Sequence, residues 1–488
     1  MMLFRVIRHE ILVLSRDRSL WAALVVLGVL TVYGVFNGLF WTGFQNDTLA
    51  AIAREDEEKI AQWRVRVAEA EQRDANSTRP VFRLDDPRSP SVAASKQAVR
   101  HAVLPPGPLA ALAIGQSDLL PYYVQPTLEN KHTFLDNSEI ENPAHLLSGR
   151  CDLGFVLATL FPLVILALSY NLLSADREQG TLAQVLCEPV SLRLVATGKV
   201  LARGLVVAGL AIVLSIVAFL IGGGRFDDPD TLLRFGGYVV VVLAYGAFWL
   251  ALAIAVNALG RSSSFNALAL AGLWLAFALV IPSLIALAVS TAYPMPSRIQ
   301  LELDKRAAAN EAKARGSQLL KGFYEDHPEL LPERSRTASQ LDTFAVTAQA
   351  VREEEERIIA PLLEQFDRQL ERQQRLVDWF RFLSPTVLAD EAFQDLAGTG
   401  RHRHRAYFDQ VAAFHERWRE FFLPKIFKKE KLTTNDLDQV PTFEFVEESL
   451  TQVGGRVAVA VLGLLLPTLA VGAWGLARLR RYPITGSE

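Results

Sequence analysis

The sequence predicts an all-α membrane protein: six transmembrane helices, an amino-terminal helix at the membrane surface, and two mainly helical domains outside the bilayer. Three observations predict it. Half of the 488 residues are hydrophobic while 21% are charged, so charge and apolar residues must occupy separate segments. Six apolar runs of about 20 residues match the thickness of a bilayer. The long polar stretches between them place apolar residues at helical spacing.

In residues 1–19, Leu3, Val6, Ile7, Ile11 and Leu14 share one helical face and the arginines lie elsewhere. That pattern suits a helix lying in the interface; a plain cytoplasmic extension of the first span is the alternative. The expected spans are 20–42, 153–174, 200–222, 236–259, 265–290 and 456–477. The first is too long for the apolar core of a signal peptide, and no small-residue cleavage site follows it, so it reads as a retained span.

Orientation follows from the short flanks. Arg5, Arg8, Arg16 and Arg18, then Arg177, Arg193, Lys199 and Arg203, then Arg261, then Arg478, Arg480 and Arg481 all fall on one side of a six-span chain. That side is expected to be cytoplasmic, with segment 175–199, loop 260–264, tail 478–488 and both termini. Loop 223–235, with Asp227, Asp228 and Asp230, faces out.

Two outer domains are expected, at 43–152 and 291–455. The first opens with a helix whose Ile60, Trp63, Val67 and Ala70 share a face, followed by a Pro- and Ser-rich loop from Arg79 to Pro108. In the second, Leu341, Phe344, Ala348 and Val351 share a face, and Glu353 to Glu356 reads as solvated. Pro361 and Pro385 are expected to kink or end helices. Phe408, Val411, Ala412, His415 and Trp418 mark a further amphipathic helix.

Several functions are excluded. A net charge of -3, close to neutral, gives no nucleic-acid footprint, which would need a clustered basic surface. Cys151 and Cys187 flank a span and cannot pair with each other. The spans hold no mid-membrane ionisable group, only Arg203 and Arg456 near span ends, which argues against a proton- or ion-driven carrier. The one Gly-Lys pair, Gly198-Lys199, is no phosphate loop: Arg193 stands where that loop needs glycine, and Val200 where it needs Ser or Thr. The chain therefore is expected to have no catalytic residue and no cofactor of its own.

Metal chemistry fares no better. His9-Glu10 and His415-Glu416 begin zinc-protease motifs, but Val13 and Arg419 replace the second histidine. His402 and His404, in the run Gly400 to Arg405, would share a face if extended. The surrounding arginines oppose a cation, so a solvated basic loop is expected. The same cluster suits an anionic cargo or a lipid head group.

The informative stretch runs from Ser174 to Arg203. Glu178, then Gly180-Thr181-Leu182, then Pro189, then Gly198-Lys199 entering the next span resembles the cytoplasmic segment of ABC-2 permeases, the membrane subunits of one class of ATP-binding-cassette transporter. Leu383-Ser384-Pro385, Leu396 to Thr399 and Val440 to Phe443 resemble a bacterial branch with long extracytoplasmic inserts after spans one and five. Its core is similar to the permease of nitrous-oxide-reductase maturation.

The resemblance implies an inner-membrane exporter built from two permeases, identical or paralogous, each docked on an ATPase subunit that supplies ATP and Mg²⁺. Segment 175–199 would couple the two, through Arg177, Glu178, Gly180, Thr181, Leu182, Pro189 and Lys199. Arg177 and Glu178 would pair with charged ATPase residues, and Gly180 would allow close backbone approach. A periplasmic protein would take or guide the cargo. The alternative is ATP-driven mechanical transmission to such a partner without cargo flux. Gly34 with Gly38, and Ala247, Ala251 and Ala255, form small-residue steps suited either to permease pairing or to packing within one subunit.

Overall fold

The computed structural model describes residues 2–75, 86–129, 151–222, 227–294, 297–316, 318, 340–428 and 430–483. It is overwhelmingly helical; among the described residues the β-structure is one antiparallel pair, Ala102–Val103 against Tyr123–Val124. Six helices are long and apolar enough to cross a membrane: Leu20–Ala75, Leu153–Glu178, Leu192–Ile221, Pro229–Asn257, Ser263–Ala292 and Leu450–Arg481. The chain is thus a multi-pass helical membrane protein. The third and fourth helices begin at Leu192 and Pro229, eight and seven residues ahead of the apolar runs, because Ser191 and Asp228 cap them with side-chain acceptors.

Met2–Leu14 is a separate helix, broken from the first span at Ser15 to Asp17, and not an extension of it. It packs against the third span. A Cβ on Gly198 would lie 2.6 Å from Val6 Cγ1, so only glycine admits the amino-terminal helix this close. The small-residue steps are also spent inside the subunit. A Cβ on Gly34 would meet the Asp152 backbone at 2.7 Å and one on Gly38 the Ala111 carbonyl oxygen at 2.0 Å. Ala251 and Ala255 face Gly472 and Gly475 of the sixth span.

The first span does not stop at the expected boundary. One helix of 58 residues, Arg18–Ala75, runs through the bundle and on into the domain. Beyond the bundle its Ile60, Trp63 and Val67 are buried against Ala93, Ala94, Phe414, Trp418 and Phe422. The two polar segments therefore share one core and form one domain, not two. The stretch expected to be a loop contributes a helical turn, Pro90–Val92 continuing through Ala93–Gln97, whose Ala93 and Ala94 lie in that core. Helix Gln340–Phe380 continues through Pro361, and Pro385 begins a helix instead of ending one. The side chains of Leu341 and Phe344 lie outside the described residues.

The largest departure from expectation is Arg381–Ala397. It belongs by sequence to the second polar segment, yet it inserts between the spans. Thr386 meets Tyr245 and Leu388 meets Gly463, near the middle of the fourth and sixth spans. Phe393 then packs on Tyr238 with ring centroids 4.6 Å apart, and Leu396 reaches Gly237. Helix Pro385–Ala397 thus climbs back along the fourth span from mid-bundle to the domain end, with Leu388, Ala389, Phe393 and Ala397 buried.

Two prolines make its seat. Pro162 and Pro282 lack the N–H that would close the preceding turn, and each follows a widened turn, Val156–Leu160 and Ala276–Val280. The carbonyls set free find partners across the bundle. Tyr245 Oη donates to Ala158 O at 2.6 Å, Trp274 Nε1 to Thr159 O at 3.0 Å, and Ser384 Oγ to Phe277 O at 2.7 Å.

The glycine contacts give a direct test. Alanine for glycine within a helix usually stabilises by about 0.5–1 kcal/mol. Gly28→Ala, where nothing lies within 4 Å, should raise or leave unchanged the melting temperature in detergent. Gly38→Ala, driven into the Ala111 carbonyl, should lower it.

Candidate functional site

The segment between the second and third spans folds as two short helices, Ser174–Glu178 and Thr181–Leu186, joined by Gly180. Gly180 adopts φ +74° with nothing within 4 Å of where a Cβ would stand. The left-handed turn alone favours glycine there. Leu182 is fully buried with Leu172, Leu173, Ala196, Ala258 and Tyr482, which seats the second short helix against the ends of the spans. Thr181 Oγ1 donates to Asp176 O at 3.1 Å. Pro189 lies exposed in the tight connection leading to Ser191.

Arg177 and Glu178 both bond within the chain. Arg177 donates to the Gly260 carbonyl at 2.5 Å and the Arg261 carbonyl at 3.0 Å, and stacks over the Tyr482 ring at 5.7 Å. Glu178 accepts from Ser263 N at 2.7 Å and Ser263 Oγ at 2.8 Å. It thereby caps the amino terminus of the fifth span, where the helix dipole favours an anion. Both charges fasten the segment to the connection between spans four and five.

Lys199 forms the opposite anchor. Its Nζ lies 2.7 Å from Asp176 and 3.8 Å from Glu10 of the amino-terminal helix. Glu10 is buried and also takes Arg203 at 2.9 Å, while Arg203 donates to the Leu168 carbonyl. Arg203 does not snorkel; it is held inside this network. Sequence reading missed Glu10, whose signal was an acid at helical spacing from Leu3, Val6 and Leu14 on an otherwise apolar face.

It missed Asn257 and Asn266 as well. Asn257 donates to Ser169 O at 3.0 Å and accepts from Leu173 N at 3.3 Å and Asn266 Nδ2 at 3.2 Å. This buried knot ties spans two, four and five at the same end. What remains outward is a row on and around the second short helix: Thr181, Ala183, Gln184, Val185, Glu188 and Pro189.

At the domain end, the inserted helix and the second and fifth spans enclose a cavity of about 230 Å³, lined among others by Asp152, Asp390, Gln116, Gln394, Thr159 and Thr386. Asp152 is satisfied by three backbone N–H groups, of Ile114, Gly115 and Phe155, at 2.6, 3.0 and 2.6 Å. Among the described residues Asp390 accepts from Gln394 alone, at 2.8 Å, and its carboxyl faces the cavity. From the positions of its neighbours, Asp390 sits roughly 7–8 Å inside the apolar band at 1.5 Å per helical residue. The inserted helix thus brings a carboxyl among the ends of the spans that their own composition does not reveal.

Residues 401–405 start a helix, Arg401–Phe427, instead of a solvated loop. Its arginines are already engaged: Arg401 pairs with Asp378, and Arg403 pairs with Glu447 and stacks over Phe445 at 5.0 Å. His404 is buried against Phe408 at 4.8 Å, and the helix carries His402 away from it. Among the described residues no group of three metal-ligating side chains occurs.

Comparison with known proteins adds one match. Residues 298–446 match the model of a domain of unknown function (DUF3526). The matched region contains the inserted helix and the greater part of the second polar segment. No curated protein and no solved structure matches the chain.

His404 predicts a pH effect. Burial, and then the neighbouring Arg403, hold its imidazole down at about 4 against an ordinary 6.5. Between those values the unfolded chain binds a proton that the folded one refuses, so stability falls as pH drops from 6.5 to 4, by up to about 1.4 kcal/mol per pH unit. Melting curves across that range should be flatter for His404→Leu than for the wild type.

Proposed function

We propose that the chain is the permease subunit of an ATP-driven ABC-2 type transporter in a bacterial inner membrane, with its domain outside and both termini cytoplasmic. A separate ATPase subunit binds ATP and Mg²⁺, and a second permease, like or paralogous, completes the machine. Export is the favoured direction.

One observation carries this reading. The short helix Thr181–Leu186 presents an exposed row while both of its flanks are locked to the membrane helices. Arg177 and Glu178 lock it to the start of span five; Asp176 and Lys199 lock it to span three and the amino-terminal helix. A surface that is free to be gripped and rigidly joined to the spans is what a coupling helix requires. Arg177, Glu178 and Lys199 act as positioning residues in this account, and the ATPase touches Thr181, Gln184, Val185 and Glu188.

A second reading has its own support. The uninterrupted helix Arg18–Ala75 spans roughly 87 Å at 1.5 Å per residue and joins the bundle to the domain core. Such a shaft suits transmission of ATP-driven motion to a periplasmic partner without cargo flux. Substrate-stimulated transport in vesicles favours export; partner-stimulated ATP hydrolysis without flux favours transmission.

Co-purification in mild detergent, with mass spectrometry to identify any protein bearing a phosphate-binding loop, tests the shared core of both. Wild type should retain an ATPase, and the pair Val185→Arg with Glu188→Arg should reduce it at least about tenfold, the effect of about 1.4 kcal/mol, at unchanged melting temperature. Wild type that retains no ATPase overturns the proposal.

A further inference from the structure

The rim of the bundle at the domain end carries a feature that neither reading uses. Helix Gln340–Phe380 descends beside the outer end of the fifth span. Gln369 donates to Pro294 O at 2.6 Å and Gln373 to Tyr293 O at 2.5 Å. These two bonds fix Arg372 and Arg375 at the height where the apolar run of span five ends, which is head-group height. Between this helix and Tyr293 lies a cleft of about 300 Å³ lined by Tyr293, Arg372, Arg375, Leu376 and Trp379.

The charges in this cleft are unusual for this helix. Glu371 pairs with Arg405 and Asp378 with Arg401. Among the described residues, Arg372 and Arg375 have no ion pair and no side-chain hydrogen bond. They stand one turn apart on one helix face, with Arg375 exposed beside Arg372, a spacing that lets two guanidinium groups converge on one phosphate.

Directly below them, toward mid-membrane, the chain exposes an apolar row. Trp379 is 81% exposed, Leu383 54%, Phe382 45% and Phe380 40%. A free phosphate would satisfy the arginines and leave that row bare. A lipid covers both, with its head group in the cleft and its acyl chains along the aromatic row.

We propose that this cleft is a binding site for an anionic phospholipid of the outer leaflet, with Arg372 and Arg375 holding the phosphate and Trp379 lying against the glycerol and upper acyl chain. The site does not depend on the ATPase, and it anchors the helix that leads directly into the inserted segment Arg381–Ala397.

The test uses the full chain in phosphatidylcholine vesicles containing graded amounts of brominated phosphatidylglycerol or brominated phosphatidylcholine. Bromine quenches tryptophan at contact. The Trp379 signal is the difference in emission between wild type and Trp379→Phe. One favourable charge contact at a membrane surface is worth about fivefold, so half-quenching should need roughly 20–30-fold less brominated phosphatidylglycerol than brominated phosphatidylcholine. Raising the salt concentration should shrink the preference. In Arg372→Gln with Arg375→Gln the preference should fall to about one, at unchanged melting temperature.

Equal quenching by both lipids in wild type overturns the proposal, because the arginines then merely snorkel. A preference that survives the double substitution overturns the assigned residues. Quenching by neither lipid, with wild type dimeric and the double variant monomeric, shows that a second copy covers the surface and also overturns it.

Discussion

Two missing backbone hydrogen bonds organise the centre of this molecule. Pro162 and Pro282 cannot donate to the preceding turn, and in a bundle with little water an unpaired carbonyl is costly. The cost is avoided because Tyr245, Trp274 and Ser384 bring donors to the freed region. Ser384 comes from a segment that would otherwise stay in the domain. Once it is bound, Thr386 and the apolar face of Pro385–Ala397 fill the space between spans two, four, five and six. The domain is thereby keyed into the bundle, with more than a surface contact between them.

The opposite end is built on different physics. There, charges and amides tie short elements to the ends of long ones. Glu10 gathers Lys199 and Arg203, Asn257 gathers spans two and five, and Glu178 caps span five. A buried charge network of this kind adds little net stability but tolerates little misalignment. It joins the amino-terminal helix, the short helix Thr181–Leu186 and four spans at one end, as the inserted helix joins the domain to the bundle at the other.

Much of this was legible from the sequence. Length and hydropathy are enough to find the six spans, because a bilayer imposes its thickness on any helix that crosses it. The face Ile60, Trp63, Val67 and Ala70 was readable from its period, and all four residues are buried. The inserted helix was not readable. Arg381, Asp390 and Glu391 give its stretch the composition of a surface helix, and although two of these charges pair within the stretch, Arg381 with Glu391 at 2.9 Å, the contacts that draw it between the spans, such as Thr386 with Tyr245 and Ser384 with Phe277, join residues more than 100 positions apart. Charge also misled at Arg401 to Arg405, where solvation was expected and ion pairing with Asp378 and Glu447 occurs. For Arg177 and Glu178, charged partners on an ATPase were expected, and only the fold shows that they bond to Gly260, Arg261 and Ser263 of the same chain.

The shared domain core sets an order of assembly. Trp418 Nε1 donates to Ala94 O across 324 residues, and Tyr407 Oη to Ala102 O across 305. During synthesis the first polar segment emerges, with Trp63, Val67 and its neighbours bare, and four further spans are made before its complement. Its complement arrives only when Arg401–Phe427 is complete. High sequence separation of this kind slows closure and prolongs the exposure of sticky surface. Translation speed across the middle of the message therefore sets how long the first half of the domain stays without its complement.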